Sequence, residues 1–480
     1  MKARLLLHIS RGLVIGQMAL LPSLSHAADK AVEWTCSTAE QPWQHMPLPV
    51  LALANPDVPP QVRAEPRRAY QTMDGFGGCF NELGWSALGK ASQADREKVL
   101  ANLFGDDGCA FTMGRIPIGA SDFALGAYSL DDTPGDFALK SFSIARDQNG
   151  LIPYIKAAME VRPSLECWGS PWSPPAWMKT NGSYSKGSIK WEPAILRSYA
   201  TYLARWVEAY RTAGIKVFAL MPQNESNIQS PYPSCLWTAV QLRDFIAEYL
   251  GPTLRDRKTN VELWLGTLNG DASNNGNNIN YRAVTVLDDP KASGFITGLT
   301  FQYDSAGLIG SAHELFPDKK LMQSETECNS GRNSWGDAMR LFNLMKYYID
   351  GGAGSYFAWN MVLDESGMST WHWRQNALVT VNSKTGKVTY NGEYYVMRHF
   401  SQFVKPGAKR VLVTGPWGDK IAFENPDGST VIEMANSASK PLDVVVAVAG
   451  RPAGTFSATL PPSSVNTFIV PPEGAPARME

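Results

Sequence analysis

The feature that most constrains this chain is a repeated switch of hydrophobic period. Short apolar runs of strand length alternate with stretches whose apolar residues recur every three or four positions. Eight runs read as strands, at 75–82, 111–120, 164–173, 216–225, 261–270, 296–304, 320–327 and 353–361. Between them, "AILRSYATYLARWVEAYRTAG" spaces Ile195, Tyr199, Tyr202, Leu203, Trp206 and Tyr210 along one helical face. "WTAVQLRDFIAEYLGPTL" and "WGDAMRLFNLMKYYIDGG" repeat that spacing. Strands alternating with helices imply βα units feeding a parallel sheet. Eight such units over roughly 290 residues fit a closed (β/α)8 TIM barrel. A doubly wound open sheet has the same element order, but no GxGxxG follows an early strand.

The pattern changes after about Tyr390. "RVLVTGPWGDKIAFENPDGSTVIEMANSASKPLDVVVAVAG" has short alternating runs and a Pro426-Asp427-Gly428 turn. It reads as an antiparallel β-sandwich without helix. Residues 32–70 are Pro-rich and irregular. At the start, Lys2, Arg4 and Arg11 flank an apolar stretch at 13–24, and Ser25-His26-Ala27 follows. That order reads as a signal peptide cleaved after Ala27, and it implies a secreted or periplasmic protein. The expected organisation is therefore 1–27 signal peptide, 28–72 N-terminal segment, 73–390 barrel and 391–480 sandwich.

The formal net charge of −1 gives no broad field, which argues against nucleic acid or a polybasic membrane contact. No second apolar run is long enough for a membrane span. The six cysteines, Cys36, Cys79, Cys109, Cys167, Cys235 and Cys328, form no CxxC pair, so zinc is not expected. Their pairing is open, and buried free thiols are the plain expectation for those in strands.

If the middle is a barrel, its working groups lie at the carboxyl ends of the strands. Strand two then offers Arg115 and Asp122, and strand three Trp168, Trp172 and Trp177. Strand four offers Gln223, Asn224 and Glu225; strand six offers Gln302, Tyr303 and Asp304. Strand seven offers Glu325 and Glu327, and strand eight Trp359 and Asn360. A single Glu at a strand end is usually a solvated loop residue. Carboxylates, amides, an Arg and aromatics gathered on one rim are another matter. Two carboxyls flanking a sugar-sized space can hydrolyse a glycosidic bond, one as proton donor and the other as an ionised nucleophile. Strands four and seven face each other across such a pocket. Asn224 is then placed for the sugar 2-hydroxyl, and Arg115 for keeping the strand-seven carboxylate ionised.

"DGFGGCFNE", "GRIPIGASDF", "GSPWSPPAWMKTNGS", "PQNES", "FQYD", "MQSETEC" and "AWNM" resemble, in this order, glycoside hydrolase family 30, the family of the lysosomal glucosylceramidases. The resemblance runs from about Gly75 to the C-terminus. It implies a retaining glycosidase on a (β/α)8 barrel with a β-sandwich to which chain before the barrel contributes. It implies Glu225 as acid/base, a strand-seven glutamate as nucleophile, and substrate contacts at Arg115, Asp122, Trp172, Asn224, Tyr303 and Trp359. The nucleophile has two candidates, Glu325 after Ser324 and Glu327 after Thr326. They lie two apart and so share a strand face. The apolar run before Ser324 and the family's Ser-Glu or Thr-Glu pattern favour Glu325.

The expected function is hydrolysis of β-glucosidic bonds in an oligosaccharide, glucan or glycolipid, with no cofactor and no metal. An endo-β-1,6-glucanase or a xylan-active enzyme is the alternative on the same fold. A non-catalytic carbohydrate-binding barrel is the alternative of a different class. "DESGMSTWHWRQN" after strand eight reads as a loop over the pocket, bringing Trp371 and Trp373 within reach of a sugar, or simply packing there.

Overall fold

Eight parallel strands close on themselves in the computed structural model, which describes residues 32–49, 51–53, 55, 58–270, 279–303, 306–326, 329–451 and 454–472. Strands one to eight are Gly75–Cys79, Met113–Ile118, Glu166–Pro171, Val217–Leu220, Glu262–Asn269, Ile296–Gln302, Lys320–Glu325 and Ser355–Asn360. Each pairs in parallel with its neighbours in sequence, and strand eight returns to strand one. All eight expected strands are present, so the alternating period was read correctly. Strands four and seven stand three apart round the ring, with five and six between them on the shorter side.

Strand one is glycine-rich because its neighbours leave no room. A Cβ on Gly77 would lie 2.1 Å from the Met113 carbonyl oxygen, and one on Gly78 would lie 2.4 Å from Met361. Met113, Trp168, Ala219, Met221, Trp264, Met322 and Phe357 form a separate cluster contributed by the barrel strands. Outside, helix Pro193–Thr212 starts with Pro in its first turn and buries all six residues picked out by their spacing. Removing one of these side chains, as in Leu203→Ala, costs about 2–5 kcal/mol. Helix Trp335–Asp350 opens with a Ser334/Asp337 capping box. No described helix is long and apolar enough to cross a membrane.

The second body is a nine-stranded sheet. Its order is Thr455–Leu460, Leu442–Val448, Val62–Thr72, Lys409–Thr414, Lys420–Glu424, Thr430–Asn436, Ser464–Val470, Glu33–Ser37 and Gln44–His45. Three of these strands come from chain before the barrel. One face buries Trp34, Val62, Val411, Ile432, Met434, Val446 and Phe468 against each other. The other face sends Ile421, Phe423, Val431 and Ala435 into the barrel's own core. Strand Thr430–Asn436 is therefore buried on both sides.

Two expectations fail here. The sheet is not purely antiparallel, because Leu442–Val448 runs parallel to Val62–Thr72. Residues after 390 are not helix-free either. Gly392–Phe403 is a helix that buries Tyr394, Val396, Met397 and Phe400. Its aromatic and β-branched residues look like strand, but their spacing is helical, and packing on the barrel decides. The helix also carries His399, whose ring nitrogens meet Thr467 Oγ1 at 2.6 Å and Ser37 Oγ at 2.8 Å. The five described cysteines are buried free thiols. Cys328 lies outside the described residues.

Candidate active site

Arg115 joins the two halves of the site. It sits in strand two and is fully buried. Its Nη1 donates to Glu325 Oε2 and, at 3.3 Å, to the Ser324 carbonyl. Its Nη2 donates to Asn224 Oδ1 at 2.7 Å and to Ser170 Oγ at 3.2 Å. The guanidinium carbon lies 4.6 Å from the Trp172 ring centre, 5.0 Å from Trp168 and 5.2 Å from Trp359. A buried cation is tolerable only when paired and hydrogen-bonded, and this one also lies against three aromatic rings.

Glu325 ends strand seven with 5% of its surface exposed. Burial pushes its carboxyl up to about 7. The Arg115 charge pulls it down, the nearby Glu225 pushes it up, and hydrogen bonds from Arg115 and Tyr303 pull it down again. Arg115 thus sits where the sequence placed it, but burial outweighs its pull on the carboxyl.

Glu225 is held differently. Strand four stops at Leu220, and Pro222 follows without an N–H to give. Gln223-Asn224-Glu225 continues beyond the strand, tied by Asn224 N to the Pro171 carbonyl at 2.7 Å and by Glu225 N to the Thr267 carbonyl at 3.0 Å. Glu225 has a φ of 47°, in the left-handed region that a non-glycine residue rarely adopts. Its Oε2 accepts from the Tyr232 hydroxyl at 2.9 Å. Its Oε1 accepts from Asn269 Nδ2 at 2.7 Å and from Gln302 Nε2 at 3.2 Å. Next to it, Asn224 Oδ1 accepts from both Arg115 and Thr267 Oγ1, the latter at 2.6 Å. Those donors fix the amide orientation and leave its NH2 as the donating end.

Both glutamates open into one cavity of about 480 Å³, a size that suits a small ligand. Asp122, Trp172, Ile228, Tyr232, Asn269, Tyr303, Trp373, Arg374 and Gln375 are among its other walls. Asp122 is buried, its Oδ1 has no hydrogen-bond partner among the described residues, and its carboxyl lies well above the usual range. Burial is the main cause, with Glu325 and Glu225 adding to it. A neutral carboxyl there can both donate to and accept from a hydroxyl.

The expected contacts thus divide. Asp122, Trp172 and Tyr303 line the cavity with both glutamates, whereas Arg115, Asn224 and Trp359 form the layer behind. Trp359 stacks on Trp172 at 5.2 Å. Of the strand-eight loop, Trp373 lines the cavity and Trp371 packs into the aromatic cluster behind Trp172. Glu327 and Asp304 lie outside the described residues. Sequence reading missed Tyr232 and Asn269. Asn269 ends strand five and was within reach of the strand-end rule. Tyr232 lies in a loop and gave no signal.

Comparison with known proteins matches both regions of the chain. The Glycosyl hydrolase family 30 TIM-barrel domain matches residues 73–404, and the Glycosyl hydrolase family 30 beta sandwich domain matches residues 407–468. The chain is 27% identical over 437 residues to lysosomal acid glucosylceramidase of Mus musculus, covering 84% of this chain and 82% of that one. It is 27% identical over 432 residues to endo-1,6-beta-D-glucanase of Neurospora crassa, covering 84% and 86%. Among solved structures, SrfJ from Salmonella typhimurium superposes with a TM-score of 0.83 at 26% identity, over 92% of this chain and all of that one. The endo-beta1,6-glucanase BT3312 does so with a TM-score of 0.82 at 26% identity, with the same coverage.

Proposed function

Because the chain belongs to glycosyl hydrolase family 30, and so is a glycoside hydrolase, we propose that it cuts β-glucosidic bonds with retention of configuration. In the first step a Glu325 oxygen attacks the anomeric carbon as the bond to the aglycone oxygen breaks. Glu225 gives that oxygen its proton. In the second step Glu225 takes a proton from water, the water oxygen attacks the same carbon, and Glu325 leaves. One observation carries this division of labour. Arg115 bonds Glu325 directly, whereas among the described residues Glu225 is bonded only by neutral donors. A fixed cation suits the group that must be charged when it attacks. Neutral donors suit a group that gains and loses a proton each turnover.

The aglycone has two readings, a glycolipid tail or a further sugar. The rim favours the sugar. Ser230, Asn269, Asn329, Arg374 and Gln375 supply polar groups, and Tyr232 and Trp373 supply aromatic faces. A lipid chain calls for a continuous apolar groove instead. Residues 1–27 act in this reading as an export signal, on the strength of their charge and apolar order.

The test is hydrolysis of an aryl β-glucoside, glucosylceramide, β-1,6-glucan and xylan, with the first-formed anomer read by NMR. A β-product from a glucoside is expected. An α-product would overturn retention. Binding without turnover on every substrate would leave only a carbohydrate-binding role.

A further inference from the structure

The run "PWSPPAWMKTNGS" is longer than its one cavity-lining residue, Trp172, explains. Lys179, within it, is fully buried. Its ammonium has no carboxylate partner among the described residues. It donates instead to the Tyr184 carbonyl at 2.8 Å and to the Ser234 carbonyl. A buried cation without a counter-ion costs stability, and such groups gather at functional sites.

The two carbonyls belong to different loops. Tyr184 lies in the loop after strand three, where Lys179 bridges to Ile189. Ser234 lies in the loop after strand four. Bridges Ser185 to Pro233 and Ser188 to Leu236 zip the loops together, with Ser234 N donating to the Tyr184 carbonyl at 3.0 Å. Ser234 Oγ then closes a turn, accepting from Ser230 N and donating to the Ser230 carbonyl, each at 3.1 Å. Tyr232 sits inside that turn and donates to Glu225.

We propose that Lys179 is a positioning residue whose buried ammonium clamps the strand-three and strand-four loops and so aims the Tyr232 hydroxyl at Glu225. The inference rests on Glu225 being the acid/base. The Tyr232 hydrogen bond holds the Glu225 carboxyl in the position from which it gives up its proton. The clamp therefore matters most for leaving groups that need that proton.

Burial lowers Lys179 to about 8, and the titratable side chain whose field it feels is the Cys235 thiol. Above that pH a neutral amine donates more weakly. A lysine held below its unfolded value costs stability while charged, so stability rises between about 8 and 10.5. Positioning thus predicts falling activity and rising stability over one pH range, which a purely structural role does not.

The experiment is a double-mutant cycle of Lys179→Met and Tyr232→Phe on phenyl and 2,4-dinitrophenyl β-glucosides across pH. Each single change should lower kcat/KM on the phenyl glucoside about tenfold, the worth of one hydrogen bond. Each should cost under about threefold on the dinitrophenyl glucoside, which needs no proton. The double variant should be no worse than the poorer single. The alkaline loss near pH 8 should vanish in Tyr232→Phe, a readout that holds even if Lys179→Met does not fold. Additive losses, or an alkaline limb unchanged in Tyr232→Phe, would overturn the clamp. Glu225→Gln losing equally on both glucosides would overturn the acid/base reading instead.

Discussion

Glu225 and Glu325 look into the same cavity from walls of different kinds. The Glu325 wall is a paired strand end with a register shift just before it, a buried Arg115 and a bank of tryptophans. The Glu225 wall is an irregular turn, and its donors are Tyr232, Asn269 and Gln302, none of them charged. A cation held against one carboxyl favours its ionised form at all times. Neutral donors adapt to either form. In the proposed mechanism this difference assigns the two identical side chains different work.

The comparison breaks most visibly when each glutamate is removed. Glu325→Ala should lose activity on every glucoside by about 10⁵-fold or more, because the covalent step is gone. Azide should restore part of it and give an α-product. Glu225→Ala should lose about 10²–10⁴-fold on poor leaving groups and far less on activated ones, and azide should give a β-product. A 2-fluoro glycoside trap should label Glu325 in the mass spectrum, and a label on Glu327 would move the nucleophile two residues on.

Arg115→Met should cost about 10²–10³-fold in kcat/KM, the usual loss when a preorganised donor at a reacting group is removed. Its sharper readout is direction. Arg115 pulls the Glu325 carboxyl down, so the acid limb of kcat/KM should move to higher pH. An unmoved limb would mean that Arg115 only packs.

A smaller shift of opposite sign should follow Glu225→Gln. Glu225 pushes the Glu325 carboxyl up, so removing its charge should move the acid limb, measured on a dinitrophenyl glucoside, to lower pH. A shift upward would mean that the two walls do not act on each other as described.

The least effect is on stability. A carboxyl raised to about 7 in the folded state stabilises fully below its unfolded value near 4.5, and that contribution is lost as pH rises through about 7. Denaturant unfolding should show the protein weakening over this window. Glu325→Gln should flatten the slope by up to about 1.4 kcal/mol per pH unit. An identical slope would place the proton elsewhere.

The barrel was legible because buried parallel strands are short apolar runs, and because helices such as Pro193–Thr212 show their buried face in their spacing. Glu325 was favoured over Glu327 by the apolar run before Ser324 and by the motif, whereas the strand expected to reach residue 327 ends at Glu325. Glu225 was found by motif, but its left-handed backbone was not, since only pairing with strands three and five imposes it. Tyr232 reaches Glu225 across a turn whose shape depends on a lysine from another loop. No local pattern encodes such a contact. The helix Gly392–Phe403 was missed because its aromatic residues favour strand until packing overrules them.

The pairing of Glu33–Ser37 with Ser464–Val470 has a consequence for the order of assembly. Glu33 meets Ile469, so strands from both ends of the chain must be present before this sheet closes. The barrel's strands lie wholly between them and can find one another earlier. During synthesis Trp34 waits without Phe468 while more than four hundred residues are added, and contacts so distant in sequence form slowly. The last turn of the sheet is thus a completion check. A chain cut short before residue 464 keeps all eight barrel strands but lacks the strand that joins Thr430–Asn436 to Glu33–Ser37, and without Phe468 and Val470 it uncovers part of the second body's inner face, a surface open to aggregation and to proteases.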